Sequence, residues 1–553
     1  MARDFKFDNW NHKVLGNTWK VNDDGTWYLP EKTLGWGVLG WCSSYLLNDK
    51  GEPWVFTPEQ ARFVLWWYAV DDRGRFLYRS GVLQRLKGWG KDPITAALCL
   101  AELVGPVKFH SFDRHGEPVA VPQPVPYVTI SAVSAEQTRN TSDVLRWMVS
   151  DKLKKEYDMQ LGVERVTAHG GRAQMVFAAS SFRAIEGKRP TFSVLNETQH
   201  WVAGNKGISM YETLDGNLTK SPNGQARMLA ITNAYMPGED SVGERMRLAY
   251  QDQEEFDRLY PGTRIGATMY YDSLEADPAA GTDPETIMEV SSHIRGDSIW
   301  LDPESIVGSF MNRAIPVSRN RRMFYNQVVA KEDALFSEAE WDACMLKDKD
   351  LLELKPGTEI VLGFDGGKTD DSTALIAKRL SDGCVFPVMV WERPPKEIDP
   401  DWEINREEVD AYVHYCFRTF KPLAFYADVS LWESYIDAWN EAYRGRLLIK
   451  AHAKSPIGWD MRGGGAKITY ANEALMDAVF AERFLHNGNR VLRRHALNAR
   501  RRGNRWGTTF GKESRESPLK VDAYAATLLA EMAARDLRES GKAVRPTGHV
   551  YAY

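Results

Sequence analysis

Residues 360–376, IVLGFDGGKTDDSTALI, constrain this chain most. Ile360, Val361 and Leu362 form a short apolar run that leads through Gly363 and Phe364 to Asp365. Gly366 and Gly367 follow at once, and Asp370 and Asp371 precede Ser372, Thr373 and Ala374. The pattern predicts a buried central strand that delivers a carboxylate at its far end, before a glycine turn. A carboxylate held on rigid backbone can bind a metal ion, because hard cations take oxygen ligands. The plainer alternative is a solvated turn rich in Gly and Asp, and the flanking sequence must decide between them.

At 553 residues the chain is too long for one ordinary core, and roughly two to four domains are expected. Charged residues make up 26% and hydrophobic ones 43%, as in a soluble globular protein. No apolar run is long enough for a membrane span, and MARDFKFDNWNHK lacks the apolar core of a signal peptide. Cys42, Cys99, Cys344, Cys384 and Cys416 are scattered without a CxxC. They predict reduced, structural thiols in a cytoplasmic setting, not a disulfide frame or a zinc site. A net charge of −5 excludes a basic nucleic-acid coat. Arg490, Arg493, Arg494, Arg500, Arg501, Arg502 and Arg505, followed by Trp506, form a local patch. Such a patch either neutralises phosphates or is a solvated helix face.

Residues 1–50 are read as an irregular arm. From Thr57, TPEQARFVLWWYAV gives an N-cap threonine, Pro58 at the first helical position and apolar residues at helical spacing. Gln60 is expected at the exposed start of that helix, where its amide could read an adenine edge or simply face solvent. A strand closing at Leu83, a loop at 87–91 (KGWGK) and a helix at 93–103 follow. Strand, glycine loop with lysine, then helix is a phosphate-cradle arrangement, in which Lys87, Gly88 and Gly90 shape the loop and Lys91 reaches the β and γ oxygens. The match to GxxxxGK[ST] is imperfect, because Arg85 stands at the first Gly and Asp92 at the Ser or Thr. Strands are predicted at 125–133, 175–179, 192–195 and 229–233. The third ends in Asn196 and Glu197, and a carboxylate placed there beside a phosphate loop can polarise a water.

The order of a glutamine helix, a KGWGKD loop, ISAVSAEQ, an EG before VLNE, and ITN resembles the ATPase half of the large terminase subunit of tailed double-stranded DNA bacteriophages. The Asp365 strand stands where that family begins its RNase H-like nuclease. The resemblance spans roughly residues 55–535, carried by the ordered set and by no single motif. It implies an α/β chain with an N-terminal P-loop (RecA/ASCE-like) ATPase domain on a mainly parallel sheet and a C-terminal RNase H-like nuclease domain. The expected boundaries are an arm at 1–50, the ATPase at 51–345 with a small lid-like part at about 240–345, a linker at 346–357, the nuclease at 358–540 and a tail at 541–553.

Two departures bear on the ATP site. The family usually has Ser or Thr where Asp92 stands, and Asp where Asn196 stands. We expect a swap, in which one carboxylate has moved from strand to loop and Asn196 offers a neutral carbonyl oxygen to Mg²⁺. The rival is a crippled site, since Asp92 would also repel phosphate. Arg85, Lys87 and Arg183 are candidate charge stabilisers at the γ-phosphate.

In the second half, strands are expected at 373–378, 385–391 and 423–426, with Asp428 just past the last. Asp522 lies near the start of a C-terminal helix, in SPLKVDAYAATLLAEMAA. Taken alone, Asp428 and Asp522 read as helix-end acids. The resemblance makes Asp365, Asp428 and Asp522 the metal carboxylates and catalytic residues of a two-metal nuclease, with Asp371 auxiliary. It makes Glu197 the catalytic carboxylate of the ATPase. It further implies ATP and Mg²⁺ (Mn²⁺ at the nuclease) as cofactors, and double-stranded DNA, a small terminase subunit and a portal or procapsid as partners. The chain would form a homo-oligomeric ring while packaging. It would act in the host cytoplasm, transiently at the portal, away from any membrane and outside the mature virion. The alternatives are a repair or recombination ATPase-nuclease, an RNase H-like transposase or integrase, and a non-enzymatic capsid or scaffold protein.

Overall fold

The computed structural model describes residues 3–4, 7, 10–179, 187–220, 225–260, 268–330, 333–368, 371–394, 399, 402–463, 465–512, 517 and 519–542. The chain forms two compact units, Met1–Met236 with Asp240–Val329, and Pro237–Glu239 with Ala330–Tyr553. The passage from one to the other at Val329 comes earlier than the charged linker expected at 346–357. The reason lies in residues 330–345, where Leu335, Phe336, Trp341 and Cys344 are buried in the core of the second unit.

The first unit is built on strands β1 (Lys13–Leu15), β2 (Tyr78–Gln84), β3 (Tyr127–Ala132), β4 (Gln160–Leu161), β5 (Arg165–Ala168), β6 (Ala173–Ala179), β7 (Phe192–Asn196), β8 (Arg227–Thr232) and β9 (Thr268–Glu275). Among the described residues they form one nine-stranded sheet in the order β1-β9-β2-β8-β7-β3-β6-β5-β4. The stretch from β9 to β6 is parallel throughout. β7 and β8 are buried at every position, as strands covered on both faces must be. β8 stands between β2, which feeds the glycine loop, and β7, which carries Asn196.

The arm holds more order than its sequence suggested. Helix α1 (Gly35–Tyr45) buries Val38, Trp41 and Cys42, although its apolar residues show little helical periodicity. Helix α2 (Pro58–Trp67) begins as expected, with Pro58 in its first turn and a capping box between Thr57 and Gln60. Helix α3 (Lys91–Val104) follows the glycine loop, α4 (Ala135–Met148) follows β3, and α5 (Val317–Phe324) lies near the end of the unit.

The second unit contains β10 (Glu359–Asp365), β11 (Thr373–Arg379), β12 (Cys384–Trp391), β13 (Lys421–Asp428), β14 (Gly458–Trp459) and β15 (Leu485–His486). Their order is β14-β13-β10-β11-β12-β15. β10, β11 and β12 run antiparallel, and β13 joins β10 in parallel. Helix α6 (Gly465–Phe480), helix α7 (Arg490–Asn498), a hairpin of β16 (Arg500–Asn504) and β17 (Gly507–Gly511), and helix α8 (Asp522–Glu539) also belong to this unit. α8 is buried along most of its length and lies directly on β10. A Cβ at Gly363 would fall 2.0 Å from the Ala526 carbonyl oxygen. Only glycine permits this approach, which brings the start of α8 near the end of β10.

Candidate functional site

In the first unit the chain after β2 turns through Gly88 and Gly90, at φ of 85° and 104°, where L-residues are strained and glycine is not. Gly90 is the N-cap of α3, so the first N–H groups of that helix open onto the loop. The loop is fastened from outside. Lys87 N–H donates to the Met323 carbonyl of α5 (2.7 Å), and Trp300 Nε1–H donates to the Gly88 carbonyl (2.9 Å). A cavity of about 1100 Å³ adjoins it, lined among others by Gln60, Lys87, Gly88, Gly90, Lys91, Asp92, Asn196 and Glu197. These eight residues, all assigned to the nucleotide site from sequence, share one cavity.

Lys91 is buried, and its Nζ donates to the carbonyls of Arg85 and Leu86, both at 3.0 Å. Burial pushes its pKa down to about 8, while the carboxylates of Glu197 and Asp92 pull it up. A bound polyanion would restore the full charge. Asp92 lies in the first turn of α3 and accepts from the Thr141 hydroxyl (3.0 Å). Burial raises its pKa, with Thr141 and Lys91 opposing. Asn196 Nδ2 donates to that hydroxyl (3.0 Å) and to the Gln137 carbonyl (3.1 Å). Asn196 Oδ1 is buried and has no hydrogen-bond partner among the described residues. That acceptor, beside Asp92, fits a hard cation, and the glycine loop with Lys91 fits a polyphosphate.

Glu197 has a left-handed backbone (φ 59°, ψ 50°) just beyond β7, the kind of local strain found where a side chain must be aimed. Its carboxylate accepts from Gln199 Nε2 and lies 3.8 Å from His200 Nε2. Gln199 Oε1 in turn accepts from Thr232 Oγ1 (2.6 Å) and from the Asn233 N–H (3.3 Å). Gln199 thus ties Glu197 to the end of β8. Sequence reading passed over it, though it lies only two residues beyond Glu197.

Two expectations change here. Gln60 is buried, not exposed. Its Oε1 accepts from the Thr57 N–H (3.1 Å), because the helix cap captures it. Arg85 does not face the cavity. It is buried, ion-paired to Asp272 and to Glu59 (2.9 Å), with Trp19 and Trp89 against its guanidinium. Burial of so large a cation demands such partners. Arg183 lies outside the described residues. Lys87 is an exposed cation on the cavity lining, and so is Arg319 of α5, which the sequence gave no reason to select.

In the second unit, Asp365 and Asp428 end the neighbouring parallel strands β10 and β13, and Asp522 opens α8. Burial pushes Asp365 well above the usual carboxylate range, helped by the negative charges of Asp522, Asp428 and Asp371. Burial also raises Asp428 and Asp522. Such mutual repulsion is the state that a divalent cation relieves. The cluster is looser than the resemblance implied. Among the described residues no three His, Cys, Asp or Glu side chains are close enough to hold a metal ion. Three of the four expected ligands are engaged elsewhere, Asp522 through its Oδ2, which accepts from the Ser372 N–H (3.3 Å). Asp371 is ion-paired to Lys512 and lies 3.4 Å from Lys520 Nζ, and those cations hold it below the usual range against the effect of burial. Asp428 Oδ1 accepts from the Met461 N–H (3.1 Å). The donor chemistry fits Mg²⁺ or Mn²⁺, whereas the spacing does not give a closed ligand set. Asp370 lies outside the described residues.

The arginine patch is largely occupied within the chain. Arg493 pairs with Asp342 (2.7 Å) and Glu338 (3.1 Å), Arg494 with Glu392, and Arg502 with Asp333 (3.1 Å). Arg500 is buried. Arg490, Arg501 and Arg505 are the exposed ones, with Arg505 stacked on Trp506 at 4.1 Å from the ring centroid. Neither an open phosphate-binding face nor a simply solvated helix describes it.

No protein-family model matches the chain. Its sequence is 40% identical over 582 residues to the gene 13 protein of Mycobacterium phage L5, covering 96% of both chains. It is 39% identical over 593 residues to the gene 13 protein of Mycobacterium phage D29, covering 98% of this chain and 97% of that one. Among solved structures it is similar to the HK97 bacteriophage large terminase (17% identity, 90% of this chain and 99% of that chain, TM-score 0.46). It is also similar to a large terminase from a thermophilic bacteriophage (11% identity, 88% and 100%, TM-score 0.32).

Proposed function

The chain belongs to the family of the gene 13 proteins of Mycobacterium phages L5 and D29, and from that premise we propose that it is the large terminase subunit of a tailed double-stranded DNA phage. In this reading the first unit hydrolyses ATP to drive duplex DNA into a procapsid, and the second cuts concatemeric DNA. The observation that carries it is the cavity at the ends of β2 and β7, where Lys91, Asp92, Asn196 and Glu197 meet.

The roles follow from chemistry. The loop N–H groups around Gly88 and Gly90 and the charge of Lys91 hold the phosphates. Asp92 and Asn196 Oδ1 would hold Mg²⁺, which when bound offsets charge on the phosphate oxygens. Glu197 takes a proton from the attacking water and aligns it. Lys87 and Arg319 supply positive charge as the bond breaks. In the second unit Asp365, Asp428 and Asp522 would hold Mg²⁺ or Mn²⁺, which when bound activates water and stabilises the leaving oxygen. Asp371 joins them once released from Lys512.

The wider assignment is part of the same proposal. The partners are a small terminase subunit and a portal on the procapsid, with the chain in a homo-oligomeric ring in the host cytoplasm. Among the described residues no helix is long and apolar enough to cross a membrane. The test is phosphate release from ATP with and without duplex DNA, beside Lys91→Ala and Glu197→Gln. The reading requires DNA-stimulated turnover, lowered about 10²–10⁴-fold by Glu197→Gln. Turnover that is indifferent to both substitutions would refute it.

A further inference from the structure

Trp300 presents an anomaly that the phosphate machinery does not explain. Its side chain is 53% exposed on the lining of the nucleotide cavity. An aromatic ring left in water forgoes the burial that normally fixes a tryptophan. This one is nevertheless held in place. Its Nε1–H donates to the Gly88 carbonyl at 2.9 Å, and its ring lies 3.2 Å from the position a Cβ would take on Gly90. Gln60 Nε2 is 3.4 Å from that same position, so the indole and the Gln60 amide flank one point on the loop. The polar handle is spent on the loop backbone, and the half-exposed ring remains on the cavity lining.

Gln60 is poorly suited to provide base affinity on its own. Its Oε1 is engaged by the Thr57 N–H, and the residue is almost wholly buried. A glutamine that pairs with adenine in the two-bond manner presents both amide atoms freely. A planar surface beside it needs no such freedom, because every base has a π-face.

We infer that Trp300 is the residue on which the nucleotide base stacks, and that this face, more than Gln60, supplies the affinity for the base. The inference rests on the nucleotide-site reading above. It deepens that reading by naming the residue that distinguishes a nucleoside triphosphate from a bare polyphosphate.

The experiment is calorimetric titration of the full chain and of Trp300→Ala and Trp300→Phe with Mg-ATP and with Mg-tripolyphosphate. Stacking predicts that Trp300→Ala weakens ATP about 10- to 100-fold, leaves tripolyphosphate within about twofold, and is largely rescued by Trp300→Phe. Equal weakening of both ligands, or a Phe variant as weak as the Ala one, would show that Trp300 acts by pinning the Gly88 carbonyl, and would overturn the inference. ATP binding unchanged in Trp300→Ala would overturn it too. Failure of the unaltered chain to bind either ligand would overturn the nucleotide-site reading itself, a result distinct from the others.

Discussion

Asp92 and Asn196 are joined through a single hydroxyl. Thr141 Oγ1 donates to Asp92 Oδ1 at 3.0 Å and receives Asn196 Nδ2 at the same distance. The two positions at which this chain departs from the terminase pattern are thus one hydrogen-bonded unit, although they are far apart in sequence. Each polar group completes the other. An aspartate at 196 would turn an acceptor toward the Gln137 carbonyl and set a second negative charge beside Asp92.

The linkage predicts a compensating pair. Asn196→Asp alone and Asp92→Ser alone should each lower ATP turnover at least tenfold. The double variant, with one carboxylate restored to the strand, should exceed both. Coupling between neighbours of this kind is about 0.5–3 kcal/mol. ATPase assays on the four proteins measure it, and a double variant no better than the worse single one rejects the swap.

Gln199 gives a second prediction. It holds the Glu197 carboxylate on one side and Thr232 and Asn233 on the other. Gln199→Leu keeps the volume and removes both links. It should lower kcat about tenfold with KM for ATP little changed, because orientation of Glu197 serves the chemical step more than ground-state binding. The effect should be non-additive with Thr232→Val. Strict additivity in a double-mutant cycle would mean that the bridge does not operate.

Asp365 sets a pH dependence at the other site. Its folded pKa is raised, first by burial and then by Asp522, Asp428 and Asp371. In the window above the unfolded value of 3.8 and up to the raised folded value, the native chain holds a proton that the unfolded chain has lost. Its contribution to stability therefore falls as pH rises through that window. A divalent cation should reverse the loss, so Mn²⁺ should raise Tm more at pH 8 than at pH 5. Asp365→Asn should be less sensitive to pH and gain little from Mn²⁺. Thermal melts at the two pH values test this, and an equal Mn²⁺ shift in the variant would place the metal elsewhere.

Much of this arrangement was legible in the sequence because it is local. The Thr57–Pro58 helix start, the apolar run into Asp365 and the strand ending at Asn196 each declare themselves within a few residues. What could not be read is what long-range contact decides. Arg85 looks like a loop cation until Asp272 and Glu59 claim it. Gln60 looks like a surface amide until the cap draws it in. The arginine run resembles a DNA face until Asp342, Glu392 and Asp333 are brought against it. Residues 35–45 have almost no helical periodicity, so burial against the following helix, not their own pattern, defines them. Thr141 carried no signal, since one hydroxyl on an amphipathic helix is ordinary until its two partners are known.

The most direct test of the proposal that this chain both drives and cuts DNA is supercoiled plasmid cleavage by the full-length protein in Mg²⁺ or Mn²⁺, beside Asp365→Asn and Asp522→Asn. The account predicts metal-dependent nicking or linearisation by the unaltered chain, and its loss in both variants. Cleavage that persists in both would contradict the assignment of these carboxylates, and with it the nuclease half of the proposed motor.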